Sequence, residues 1–386
     1  MDACDALIVG GGPAGSACAW ALDRAGVDVA ILDKSTFPRD KVCGGWITPQ
    51  VIESLEIDCA QYCHDRIFQP ITGFRVGCIG SREIETHYDR PVSYGIRRVE
   101  FDDYLLKRSG ARLFEGEPVN TIVKTADGWV INGHIRCRVL IGAGGHFCPI
   151  AQYMNPGKRA EVVVAAQEAE FEMTPPQQGL CSIRATIPEL YFCRDLLGYG
   201  WCFRKRNFLN VGLGRLDSYG LGAHVTAFIK FLRDAEKIEF DLPSKLLGHA
   251  YLLYGRASRK VVGDGIMLIG DAAGVAYAQS GEGIRPAIES GLLAARVLAE
   301  SDGKFTSDRL SRYEELVCDR FGHPEEWSTR IGKKLPPQLM HSLGRLLLAT
   351  PWFSRQVVIE NWFLHANEAA LPSPLVRARP AVATVP

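Results

Sequence analysis

The sequence predicts an α/β fold: a parallel sheet of Rossmann-like type, interrupted by a mostly β insertion and closed by C-terminal helices. Three observations predict it. The apolar run Ala6-Leu7-Ile8-Val9 enters a glycine-rich turn and then an alanine-rich helix, the opening of a βαβ unit. Two later apolar runs, Val139-Leu140-Ile141 and Ile266-Met267-Leu268-Ile269, also end in glycine turns and so return to one sheet edge. Between them, residues 155–256 carry no glycine fingerprint and read as a series of short strands.

Each element follows from its residues. In Gly10-Gly11-Gly12-Pro13-Ala14-Gly15, Gly10 permits the tight turn and Gly12 lets backbone approach a pyrophosphate. Gly15 lets the helix pack on the strand, and the helix N-terminus favours the phosphates. Gly26 breaks the chain, Val27 to Leu32 form a second buried strand, and Asp33 stands where a carboxylate would accept from ribose hydroxyls, with Lys34 beside it. No arginine replaces Asp33, so a 2′-phosphate is not expected and an adenine dinucleotide is.

Composition excludes several classes. Lys+Arg 44 balances Asp+Glu 44, which argues against a nucleic-acid partner. The 386 residues, 47% hydrophobic, suffice for two domains with cores of their own. No basic and apolar leader opens the chain and no run of about 18 apolar residues occurs, so a cytoplasmic protein is expected. Twelve scattered cysteines without a C-x-x-C pair read as thiols; Cys59 and Cys63 lack a second ligand pair, so no metal is expected.

The loop Phe37 to Gly45 ends in Cys43-Gly44-Gly45, where the glycines allow backbone to lie flat against something planar. Cys43 either faces that planar group or is a small buried thiol. Runs such as Gly73-Phe74-Arg75-Val76 suggest strands of another sheet. Arg98-Val99-Glu100-Phe101-Asp102 opens an amphipathic helix, and Arg98 meets either a phosphate or an acidic neighbour. Arg112 to Glu115, Thr121 to Lys124, Trp129 to Ile131 and Arg136 to Ile141 read as a β-meander turning at Asp127-Gly128 and Asn132-Gly133.

Within 155–256, strands are expected at Val162 to Phe171, Cys181 to Ile187, Tyr199 to Arg204, Phe208 to Leu213 and Leu246 to Tyr254, with one helix near Ala223 to Lys237. Alternation puts Tyr199, Trp201 and Phe203 on one face, as core or as a cavity wall; Arg204, Lys205 and Arg206 lie near a substrate head group or form a solvated strand end. In Gly270-Asp271-Ala272-Ala273-Gly274 the carboxylate sits at a strand tip and can accept from a polyol, which distinguishes FAD from NAD. Gly281, Gly283 and Ile284 then begin a helix whose positive end would face the charge of a reduced flavin near N1 and O2.

The order Gly10-x-Gly12-x-x-Gly15, Arg98-x-x-Phe101-Asp102, Leu140 to Gly145 and Gly270 to Gly274 resembles the para-hydroxybenzoate hydroxylase superfamily of flavoproteins. Within it, Pro38-(four residues)-Cys43-Gly44-Gly45 and Tyr199-x-Trp201-x-Phe203 resemble the two signatures of the geranylgeranyl reductase family. The superfamily resemblance covers residues 1 to about 300. Two positions depart: Arg204 stands where the family usually has proline, and Gly144 where the superfamily usually has aspartate.

The resemblance implies a para-hydroxybenzoate hydroxylase type FAD-binding domain over 1–62, 97–154 and 257–303, and a substrate domain over 63–96 and 155–256. It implies reduction of isoprenoid double bonds, with Cys43, Tyr199 and Trp201 as catalytic residues. Cys43 lies beside the isoalloxazine, positioning it or relaying a proton, and Tyr199 and Trp201 wall the cavity. The electron donor is NAD(P)H or a reduced carrier protein. A monooxygenase or halogenase on the same fold and a non-enzymatic flavin protein are the alternatives; no lysine stands in the halogenase W-x-W-x-I-P context.

Residues 304–370 read as C-terminal helices: Lys304 to Phe321, then a second started by Leu335-Pro336-Pro337 and carrying Leu339, Leu343, Leu346 and Leu347 at helical spacing, continued by Phe353, Val357, Val358, Trp362 and Phe363. They either cap the substrate sheet or wall an apolar tunnel and dock on a membrane surface, with Lys333, Lys334 and Arg345 near the headgroups. Residues 371–386, rich in proline and small residues, are expected to be disordered.

Overall fold

The computed structural model describes residues 1–157, 161–217, 219–256, 259–323 and 337–372. The expectations for Lys333, Lys334, Leu335, Pro336 and the tail beyond residue 372 lie outside the described residues, as do the side chains of 337–340.

The first sheet is built on five parallel strands in the order Ile266–Leu268, Ile135–Gly142, Asp2–Val9, Val29–Asp33 and Arg112–Glu115. The central strand is buried on both faces from Ala6 to Val9, which is why its sequence is a continuous apolar run. Parallel order brings the carboxyl ends of these strands to one edge, so the turns after Val9, Gly142 and Leu268 and the strand-end Asp33 gather there. That edge is where an open α/β sheet binds its ligand. Gly10 has φ +117, and a Cβ on it would lie 2.4 Å from the Ala143 carbonyl oxygen. A Cβ on Gly15 would lie 1.9 Å from the Gly10 carbonyl oxygen, so the helix Pro13–Arg24 can rest on its strand only with glycine there.

The second sheet has seven strands: Leu247–Leu252, Val163–Glu172, Phe208–Arg215, Gly198–Lys205, Glu189–Phe192, Gly73–Cys78 and Ile84–His87. Strands from residues 73–87 therefore share a sheet with strands from 163–252. A small third sheet joins Trp46–Ile47, Ser93–Ile96 and Phe68–Ile71 and lies beside the Cys43 loop.

Three expectations need correction. Arg112–Glu115 is not in the meander: it pairs parallel with Val29–Asp33 after the crossover helix Arg98–Arg108, and only Ile122–Thr125, Gly128–Ile131 and Ile135–Gly142 form antiparallel neighbours. Periodicity identifies a strand without naming its partner. The run Cys181 to Ile187 is not a strand, since Cys181 makes one isolated bridge to Ile238 and the pairing begins at Glu189. The single helix expected over Lys304 to Phe321 is two, Ser307–Leu310 and Arg312–Phe321.

Toward the C-terminus, the helix Pro337–Leu348 packs on Gly73–Cys78, and a wide π-type helix spans Phe353–Phe363. Its Val358, Ile359 and Phe363 share a core with Trp46, Phe74, Trp201 and Phe203. The segment after it is anchored by Arg285, only 1% exposed, whose guanidinium donates to the carbonyls of Leu364, His365 and Glu368 while pairing with Glu289 at 2.8 Å.

Candidate active site

One cavity of about 730 Å³ runs from the glycine turns of the first sheet to the aromatic face of the second. That is within the range of cofactor pockets. At its first end lie Gly10, Gly12, Pro13, Ala14, Asp33 and Lys34. In the middle lie Cys43, Gly44, Gly45, Arg98 and Asp271, and nearby Gly281, Gly283 and Ile284; at the far end are Tyr199 and Trp201. Gly15 and Gly270 stand behind this lining and pack helix against sheet, Gly270 donating its N–H to Ser290 Oγ at 2.9 Å.

The first end fits a dinucleotide. A Cβ on Gly12 would meet nothing nearer than Arg39 Nη2 at 3.5 Å, so open space lies directly off the N-terminus of the helix Pro13–Arg24, whose first N–H groups have no side-chain cap. Arg39 lines this space; its Nη1 is buried without a hydrogen-bond partner and stands 3.3 Å from Asp102. A buried donor left open beside a helix N-terminus suits a phosphate oxygen. Asp33 already accepts from Gly11 N–H at 2.7 Å and Ser35 N–H at 2.8 Å, one on each oxygen, so it pins the glycine turn and keeps lone pairs for a ribose. Arg98 resolves toward the acidic neighbour: it grips Asp102 bidentately at 2.7 and 2.8 Å while still lining the cavity.

In the middle, Lys41 Nζ lies 2.8 Å from His249 Nε2, which lies 3.6 Å from Asp271 Oδ2. Burial strips solvation from the ammonium and pushes Lys41 down to about 8 against the pull of Asp271. Burial likewise lowers His249, whereas for Asp271 burial raises the carboxyl and His249 and Lys41 more than offset it, leaving it below the usual range. The sequence reading missed Lys41 and His249, 208 residues apart on a loop and an edge strand. The available signal was Lys41 within the Pro38 to Gly45 segment.

The far end is apolar by construction. Tyr199 OH donates to the Ser280 carbonyl at 2.5 Å and Trp201 Nε1 donates to Asn210 Oδ1 at 2.7 Å, so both polar atoms are engaged and the ring faces remain. Phe203, Trp46 and Phe363 extend the same wall. A Cβ on Gly44 would come 3.1 Å from Phe203, so the glycine segment lies flat against it. Cys43 Sγ accepts from Gly45 N–H at 3.4 Å, and burial, opposed by Arg98, pushes its thiol up, which keeps it protonated at neutral pH. Of the three basic residues at the strand end, Lys205 is buried and paired with Glu170 at 2.6 Å, while Arg206 is exposed and its carbonyl accepts from Arg204. Among the described residues no cluster of three or more metal-ligating side chains is found.

A family model described as an NAD(P)-binding Rossmann-like domain matches residues 8–68. A menaquinone reductase of Mycobacterium tuberculosis (strain ATCC 25618 / H37Rv) is 30% identical over 373 residues, covering 90% of this chain and 88% of the relative. Digeranylgeranylglycerophospholipid reductase 1 of Methanothermobacter thermautotrophicus is 27% identical, covering 82% and 83%. Among solved structures, a geranylgeranyl bacteriochlorophyll reductase-like protein of Thermoplasma acidophilum superposes with a TM-score of 0.74 at 19% identity, over 94% of this chain and 97% of that one. A flavin-dependent brominase shares the fold with a TM-score of 0.68 at 18% identity, over 94% and 92%.

Proposed function

The chain belongs to the geranylgeranyl reductase family of FAD-dependent oxidoreductases, and from that premise we propose that it reduces carbon–carbon double bonds of an isoprenoid or other lipid-like substrate. The observation that carries the reading is the far end of the cavity: a wall of Tyr199, Trp201, Phe203, Trp46 and Phe363, with the tyrosine and tryptophan polar atoms tied off, beside a protonated Cys43. An isolated alkene offers no hydrogen bond, so a site for it needs apolar surface, exclusion of water and a proton source.

When bound, FAD supplies the hydride. Gly10, Gly12, Pro13, Ala14, Arg39 and Arg98 would hold the diphosphate end, Asp33 and Lys34 the adenosine end, and Asp271, Gly281, Gly283 and Ile284 the ribityl and pyrimidine end. Residues 1–62, 97–154 and 257–303 hold the cofactor in this reading, and 63–96 with 155–256 the substrate; the seven-stranded sheet, drawn from both of the latter, supports that division. Tyr199 and Trp201 orient the alkene, and Cys43 gives the proton to the second carbon. The donor is NAD(P)H or a reduced carrier protein.

The C-terminal helix supports a lipid source for the substrate. One face of Pro337–Leu348 and its following turn caps the second sheet through Leu348, while Leu343, Leu346, Leu347 and Trp352 stay exposed near Arg345. Such a face lies on a bilayer surface rather than through it; no described helix is long and apolar enough to cross a membrane.

The test is anaerobic. The flavoprotein is reduced, oxygen is excluded and long-chain polyprenyl substrates are added; reoxidation of the flavin with formation of the saturated bond is the expected result. Reoxidation only on admitting oxygen, coupled to substrate, would instead identify a monooxygenase or halogenase, and none under either condition a flavin-binding protein without this chemistry.

A further inference from the structure

Behind the Cys43 loop lies a second acid that the reading above leaves unused. Glu168, on the strand Val163–Glu172, is 4% exposed. Its Oε1 accepts the Cys43 backbone N–H at 2.5 Å, while its Oε2 is buried with no hydrogen-bond partner. The Cys43 carbonyl is held from the same side by Asn210 Nδ2 at 3.0 Å, and Asn210 also takes the Trp201 indole N–H. The cysteine is thus fixed at both ends of its residue by groups of the second sheet, and one of those groups carries a spare buried carboxyl oxygen. An ionised carboxylate with an unpaired buried oxygen is costly, whereas a neutral acid tolerates that position.

The surroundings favour the neutral form. Facing Glu168 are the Cys43 loop, Asn210 from the neighbouring strand, Lys205 from the strand beyond it and Glu170 from its own; Arg98 faces Cys43 from the helix Arg98–Arg108. Lys205 is already paired with Glu170 at 2.6 Å, so it does not neutralise Glu168 directly. Burial is the largest influence and pushes Glu168 up to about 7, with Glu170 adding to it against the Cys43 N–H, Lys205 and the Asn210 side-chain amide.

We infer that Glu168 is the positioning and proton-storing acid behind Cys43: it fixes the loop through the Cys43 N–H and returns a proton to the thiolate after each turnover. The inference rests on the alkene-reduction reading for the consumer of the proton. In that sequence the Cys43 S–H bond breaks and its proton forms the C–H bond on the carbon not attacked by hydride, using the electron pair of the former double bond. The Glu168 O–H bond then breaks, S–H reforms, and the carboxylate is reprotonated by water. No oxidant beyond the flavin couple is needed.

Glu168→Gln keeps an acceptor for the Cys43 N–H and removes the proton. Two measurements on the flavin-loaded protein separate the inference from the reading on which it rests. The first needs no substrate: the rate of Cys43 alkylation by iodoacetamide against pH, read as the mass of the Cys43 peptide. Wild type should inflect near pH 7 as Glu168 ionises, and the variant should lose that inflection and react at lower pH, since a negative charge beside the thiol is gone. The second is steady-state anaerobic reduction of a polyprenyl alkene with dithionite as the reductant, in which each flavin and each Cys43 turns over repeatedly. Wild type should fall about tenfold per pH unit above 7, whereas the variant should be at least tenfold slower at pH 6 and flat with pH, with FAD content unchanged. Identical alkylation curves, or a variant with wild-type rate and profile, would overturn the role of Glu168. A wild-type flavin that no alkene reoxidises refutes alkene reduction instead, and the alkylation curves then decide alone whether Glu168 and Cys43 form a proton pair.

Discussion

Asp33 gives the sharpest test of how the cofactor end is built, because it has two separable jobs. Its oxygens hold Gly11 N–H at 2.7 Å and Ser35 N–H at 2.8 Å in the protein itself, and the same carboxylate faces the cavity where a ribose would lie. Replacing it by alanine strands the buried Gly11 donor, and a hydrogen bond to a charged group is worth about 1.5–3 kcal/mol; the Ser35 donor is half-exposed and water replaces much of its loss. The apoprotein should therefore melt earlier by an amount set mainly by one bond. FAD affinity should fall separately by another bond to a charged acceptor, about 1.5–3 kcal/mol, or about 10- to 150-fold in Kd. Asp33→Asn, which keeps one acceptor, should fall between the two. Titrating apoprotein with FAD by flavin fluorescence measures the second effect and a thermal melt of the same apoprotein the first. A lowered melt with FAD affinity within twofold of wild type would make Asp33 a pin for the glycine turn alone and refute the ribose assignment.

Three further outcomes are expected. Cys43→Ser should retain FAD and its reduction by the donor but lose most of the anaerobic reoxidation by alkene; full activity would leave Cys43 a packing residue. Glu168 binds its proton up to about pH 7 in the folded protein and only to about 4.5 unfolded. Its destabilising contribution is therefore absent below about pH 4.5, grows between these values and is complete above 7. Glu168→Gln should accordingly gain stability relative to wild type between pH 5 and pH 8, by up to about 3 kcal/mol in denaturant melts, and a difference that does not vary with pH would count against the burial argument. Leu346→Asp with Trp352→Ala should abolish sedimentation with liposomes while leaving FAD binding intact, since both side chains are 68% exposed; a wild type that binds no liposomes removes the lipid-surface reading.

What the sequence determined by itself was local chemistry. The turn Gly10 to Gly15, Asp33 after a buried strand, Cys43-Gly44-Gly45 and the Asp271 turn could each be read because backbone geometry and side-chain chemistry are written within a few neighbouring residues. Their convergence on one sheet edge also followed, since parallel strands must place their carboxyl ends together. Tertiary structure decided the pairings that alternation does not encode. Arg112–Glu115 has the pattern of a hairpin strand, yet the helix before it carries it across to the far side of Val29–Asp33. Lys205 follows a surface-like Arg204 but turns inward, because strand alternation puts it on the same face as Phe203, where its ammonium reaches Glu170 two strands away. Lys41 meets His249 across 208 residues, and Glu168 reaches the Cys43 N–H across 125. In one dimension Glu168 is a polar residue within a strand; only the closing of the Cys43 loop over that strand removes it from water and turns an ordinary carboxylate into an acid that holds its proton near neutral pH.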